Sequence, residues 1–195
     1  MHDISEALRL PNRETLPPEI AFLRERYPKS RWQVHENYGE LAAFWLEVHD
    51  SLRAQGGALQ RMAREFREGE RGGATAFQRT FMPRLGHYLQ HLEGHHHIED
   101  AHYFPRVRAL DRRMRVGFDL LENDHEIIQA AVLHAADSAR ALMQALARGE
   151  DAGRFAADDY IADADRLLAL LAQHLTDEED LVIPGMLEYT ERPLR

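Results

Sequence analysis

Apolar residues recur along this chain at intervals of three and four, and almost nowhere do they alternate with polar ones. That period predicts helices rather than strands. Four long segments carry it. The first runs from Tyr38 to Phe66, with Leu41, Phe44, Trp45, Val48, Leu52, Leu59 and Met62 as its stripe. Gly56-Gly57 is expected to loosen or bend it, and the glycine-rich turn Gly69–Gly73 to end it. The second runs from Ala76 to Phe104, with Phe77, Phe81, Leu85, Tyr88 and Leu92 inward. The third starts near Arg115 and ends near Ala147, on Val116, Leu120, Leu121, Ile127, Ile128, Val132 and Leu142. Arg148–Gly153 reads as a loop. The fourth covers Ala156 to Tyr189, with Tyr160, Ile161, Leu167, Leu168, Leu171 and Leu175 inward.

Four helices with short connections predict an all-α, up-down-up-down four-helix bundle. Residues 1–37 differ. Pro11, Pro17, Pro18 and Pro28 break them up, and only Glu19–Arg26 has helical character. They read as an N-terminal arm that packs on a bundle of residues 38–195, not as a separate domain.

One motif occurs twice on these helices. His95-x-x-x-Glu99 is followed by Asp100, the apolar pair Tyr103-Phe104 and Pro105. His174-x-x-x-Glu178 is followed by Glu179, Val182-Ile183 and Pro184. Residues four apart share a helix face, about 6 Å apart along the axis. Each copy therefore aims one imidazole and one carboxylate at the same point. A single copy has a bland explanation as a surface ion pair; duplication in a common proline frame argues for a metal cage. A further histidine precedes each copy, His49 by 46 residues and His125 by 49. Each half of the chain is then a helix with one histidine, a loop, and a helix with His-x-x-x-Glu.

Composition sharpens this picture. Twelve histidines among 195 residues point to acid–base or metal chemistry. The absence of cysteine excludes disulfides, Cys-ligated zinc, iron–sulfur clusters and thiol nucleophiles. A net charge of −9 argues against nucleic acid as a general partner. Arg106, Arg108, Arg112, Arg113 and Arg115 form one local basic run, read as a solvated turn or a docking patch for an acidic partner. No apolar stretch reaches the ~18 residues of a membrane span. The first residues lack the pattern of a signal peptide, so a cytoplasmic location is expected.

The candidate metal ligands are His49, His95, Glu99, His125, His174 and Glu178. Four imidazoles and two carboxylates suit two iron ions, with manganese as the alternative. Carboxylates that bridge two metals, with an oxo or hydroxo bridge, leave positions open for a small diatomic or peroxide ligand. These six residues, with the apolar-apolar-proline endings, resemble the hemerythrin-like proteins, or HHE cation-binding domains. The resemblance covers residues 38–190. It implies a non-haem di-iron centre in which both carboxylates bridge. Oxygen-carrying members have a second histidine one turn after that of the third helix, where this chain has Gln129. That departure brings the chain closer to bacterial relatives linked to nitric oxide response, iron–sulfur repair, or oxygen and redox sensing. The expected function is binding or sensing of dioxygen, nitric oxide or peroxide. An enzyme of nitric oxide or peroxide stress or iron-centre repair, and an iron sensor or reservoir, are the alternatives.

Three further readings concern neighbouring residues. Glu93-x-x-His96 and Glu122-x-x-His125 offer a rival, ferritin-like register, though the fourth helix has no copy. His91 and His102 share the face of His95 and are expected beyond the ligands, whereas His87, His96 and His97 are expected to point elsewhere. Asp100 and Glu179 face about 100° from the bridging acids and are expected to support the ligands.

Overall fold

The structure is a computed structural model, which describes residues 5–70 and 73–194. Its α-helices are α1 (Glu40–Glu68), α2 (Gly73–Ile98), the short α3 (Phe104–Leu110), α4 (Arg115–Leu146) and α5 (Glu150–Tyr189). Among the described residues there is no strand, and the protein is all-α. The short links between α1 and α2 and between α4 and α5 make each pair an antiparallel hairpin, the topology of a four-helix bundle.

Glycine ends α1 by satisfying its last carbonyls. Gly69 has φ +80°. Its N–H bonds the Phe66 carbonyl at 3.1 Å, and the next N–H, from Glu70, bonds Glu65 at 2.9 Å. This pair of bonds needs a left-handed residue at the turn, which glycine adopts without strain. The rest of the expected 69–73 turn includes residues 71–72, which lie outside the described residues.

Several expectations need correction. Gly56-Gly57 does not interrupt α1, which is continuous across it. The glycine serves close packing instead: a Cβ at Gly56 would stand 2.4 Å from Leu168 Cδ2 and 2.9 Å from the Tyr88 hydroxyl. Phe44 and Val116 are 57% and 51% exposed, so they leave the inward stripes. The fourth helix starts at Glu150, within the expected loop, which shrinks to 147–149. Glu19–Arg26 forms hydrogen-bonded turns and no helix. Proline brackets on both sides keep that segment too short to propagate, and isolated helices of that length are marginal. A 3₁₀ helix forms over Lys29–Val34.

The chain divides into two compact units, each holding part of all four long helices. One comprises residues 51–94 and 128–171. At its centre Phe66, Phe77 and Phe81 stack with ring centroids 4.4 and 4.7 Å apart, and Tyr160 meets Phe81 edge-on at 5.0 Å. All four side chains are buried. Phe81→Ala is expected to cost about 3–5 kcal/mol, read as a lower denaturant midpoint with an unchanged slope.

The other unit comprises residues 1–50, 95–127 and 172–195. Leu16, Ile20, Leu23 and Trp32 share a buried cluster with Trp45, Phe104, Phe118, Leu121, Val182 and Met186. Cations from the N-terminal segment pair with acids of α5: Arg24 with Asp180 at 3.4 Å, Lys29 with Glu179 at 3.3 Å, and Arg13 with Asp177 at 2.8 Å.

Candidate metal centre

The duplicated motif lies in this second unit, at the end of α2 and near the end of α5. After Ile98 the backbone widens into a π-helical turn, Glu99–Tyr103, closed by the Phe104 N–H on the Glu99 carbonyl. Pro105 follows at once and has no N–H to offer the preceding turn. Such π turns recur at functional sites. The second copy differs in backbone, since α5 stays α-helical through Pro184.

All six expected residues converge, and they are buried or nearly so. His95 Nε2 lies 3.1 Å from Glu99 Oε1, and His174 Nε2 lies 3.4 Å from Glu178 Oε2. Across helices, His49 Nε2 is 3.3 Å from Glu178 Oε1 and His125 Nε2 is 3.6 Å from Glu99 Oε2. Each carboxylate thus offers one oxygen to the His49–His95 pair and the other to the His125–His174 pair.

A seventh residue joins them. His96 was expected to face away, yet it is buried and its ring stacks on His125 at 4.0 Å. One donor atom each from His96, His125 and His174 falls within a sphere of contacts of 4.8 Å. The same holds for His49, His95, Glu99 and Glu178. The geometry of a helix explains this. Glu99 lies about 40° round the axis from His95 and about 60° the other way from His96, so the two imidazoles straddle it. In the second copy the matching position is the buried, apolar Leu175.

Three of the imidazoles are oriented by a carboxylate on their other nitrogen. His49 Nδ1 meets Glu179 at 3.1 Å, His125 Nδ1 meets Asp100 at 2.9 Å, and His174 Nδ1 meets Asp124 at 3.4 Å. A ring that donates Nδ1–H turns a bare Nε2 inward, as metal-ligating histidines do. Asp100 and Glu179 match the supporting place expected of them; Asp124, beside His125 in sequence, was not foreseen. The Trp45 indole N–H donates to Glu178 Oε1 at 2.5 Å.

Electrostatics divide the donors. Burial pushes His95 down to about 3 and His96 well below the usual range. Burial also lowers His125. It pushes His174 the same way, but hydrogen bonds and charge from Asp124 and Glu178 outweigh it and hold the ring at about 9. His49 is raised as well: Glu178 and Glu179 overcome its burial. Burial and the neighbouring Glu178 push Glu99 well up, whereas the surrounding histidines hold Glu178 well down against its own burial.

The residues fit a cation. His49 Nε2, His95 Nε2, His96 Nε2, both oxygens of Glu99 and Glu178 Oε2 are buried with no hydrogen-bond partner. Buried polar atoms are rarely left so. Here they cluster, and all are electron-pair donors of the kind metals take.

Other candidates fall outside. Gln129 and His102 are exposed, as are His87 and His97. His91 is half-buried and meets the Gln55 amide at 3.2 Å. The rival register fails, because Glu93 is exposed and Glu122 pairs with Arg108 at 2.5 Å. The basic run is partly spent internally: Arg108 also reaches Asp119, Arg113 holds Asp111, and Arg106 donates to the Leu194 carbonyl. Among the described residues, no helix is long and apolar enough to cross a membrane.

Fold and site together define a class: an all-α protein whose helices converge imidazoles and carboxylates on a buried cation-binding centre. The chain matches the hemerythrin HHE cation-binding domain over residues 40–186 and belongs to that family. No curated protein and no solved structure matches it.

Proposed function

We propose that this protein holds two iron ions and binds or senses a small ligand such as dioxygen, nitric oxide or peroxide. One observation carries the reading: Glu99 and Glu178 each divide their two oxygens between two separate groups of imidazoles. Carboxylates so placed suit a bridged pair of cations, and the nitrogen-rich donor set suits iron, with manganese as the alternative. His49 and His95 would hold one ion. His125, His174 and His96 would hold the other, His96 supplying the imidazole that Gln129 does not.

The two positions are then unequal. Each side would take one oxygen from Glu99 and one from Glu178, with three imidazoles on the His96–His125–His174 side and two on the His49–His95 side. The side poorer in protein donors, His49–His95, would be the one to take up a small ligand.

The test is metal analysis of the purified protein, followed by optical spectra on adding azide, nitric oxide or dioxygen. Two iron ions per chain and a ligand-dependent charge-transfer band are expected. Fewer than two metals in the fully loaded protein would overturn the reading. Steady consumption of nitric oxide or peroxide would replace binding with catalysis.

A further inference from the structure

The family match begins at residue 40, so the N-terminal segment lies outside it. That segment nevertheless sends one side chain to the back of the centre. Arg13 has a side chain only 2% exposed. Its Nε donates to Asp177 at 2.8 Å. Its Nη1 donates to Asp124 Oδ1 at 3.0 Å and to the Leu8 carbonyl at 2.9 Å. Its Nη2 closes a second bond to Asp124, on Oδ2. A guanidinium is a planar fork, and here it grips a carboxylate with two parallel bonds.

Asp124 Oδ2 is also the acceptor for His174 Nδ1. The three groups form a buried chain: guanidinium, carboxylate, imidazole. Asp100, behind His125, is 43% exposed, and Lys29, which pairs with Glu179 behind His49, is 48% exposed. The carboxylate behind His174 is instead clamped by a fully buried charge.

We propose that Arg13 is a positioning residue of the metal centre: through Asp124 it holds the His174 ring with Nε2 turned toward the site. The inference rests on the metal-centre reading above. It gives the segment before the family domain a role in cation binding that a mere packing arm would lack. Arg13 links Asp124 on α4 to Asp177 on α5, so it also sets the distance between the two helices that carry His125 and His174.

The experiment uses the full chain, ferrous iron under anaerobic conditions and a competing chelator, with Arg13→Met, Arg13→Lys, Asp124→Asn and the Arg13→Met/Asp124→Asn pair. Arg13→Met is expected to weaken one of the two iron ions by 10–100-fold, the range for lost outer partners of metal ligands, and to leave the other nearly unchanged. Arg13→Lys keeps the charge without the fork and is expected to recover part of the loss. The double variant should lose little more than either single one, because both act through one chain of contacts. Nitrogen-15 histidine spectra of the metal-free protein should show the His174 ring signals displaced in Arg13→Met and those of His49 in place. An Arg13→Met protein with lowered melting temperature but unaltered affinity for both ions and unaltered His174 signals would overturn the proposal. If Arg13→Met does not fold, an Arg13→Lys protein with wild-type affinities would overturn it equally. A wild-type chain that binds no iron fails differently: it removes the metal-centre reading itself, and this proposal with it.

Discussion

Replacing Glu178 by glutamine is expected to empty the centre. Glu178 Oε1 faces His49 and Oε2 faces His174, so the change withdraws an anionic donor from both groups at once. The amide is neutral and a poor ligand. Loss of metal affinity should exceed the 10–100-fold typical of outer partners, giving at least ~100-fold by chelator competition. The metal-free protein should suffer too. Glu178 is the chief group raising His49 and, after Asp124, raises His174, and breaking such buried pairs costs about 3–5 kcal/mol. Glu122→Gln is the control. Glu122 pairs with Arg108, so its loss should leave the metal count unaltered. A Glu178→Gln protein that retains two ions would sink the bridging role, and metal loss in Glu122→Gln would revive the rival register.

Stripping the metals should produce the second large effect. A ligand present at 1,000 times its dissociation constant stabilises the folded state by about 4 kcal/mol. For a chain of this size that is a fall of about 8–16 °C in melting temperature per site lost. Hydrogen exchange should speed up most at residues 40–50, 95–127 and 172–189, where the ligands lie. Reloading should release protons, because ligands must give them up to bind. His174, held at about 9, is the clearest source, and His49 and Glu99 are shifted in the same direction. Affinity should therefore rise with pH until His174 titrates near 9. The metal-free fold responds in the opposite sense. His174 is raised from 6.5 to about 9, so its charged pairing is fully present below 6.5 and lost as pH passes about 9. Calorimetry in buffers of different ionisation enthalpy counts the protons; none released would show that the ligands are already deprotonated.

The helices were legible because a bundle buries one stripe of each helix, and that stripe repeats with the helical period. Trp45, Leu52, Leu59 and Met62 keep to it. Phe44 and Val116 do not, because periodicity places a residue on an arc and cannot say where the arc meets solvent. The six donors were legible for a similar reason: the motif is local, i and i+4 on one helix, and it occurs twice. His96 was hidden in plain view. Two successive histidines before Glu99 carry the signal, since positions three and four residues before a carboxylate lie on either side of it.

Asp124 and Arg13 mark the boundary between the two kinds of information. Local chemistry along the chain specifies which helices form, which face each buries and which imidazoles travel with which carboxylates, because those relations span four residues or fewer. Arg13 meets Asp124 and Asp177 across 111 and 164 residues. No period or motif spans such a distance. The assignment of each carboxylate oxygen to a pair of rings, the choice of Asp124 to orient His174, and the reach of Arg13 behind it all depend on how helices pack side by side. Packing is settled by the whole unit's burial and by the need to pair every charge taken out of water, and so these relations become visible only once the chain is folded.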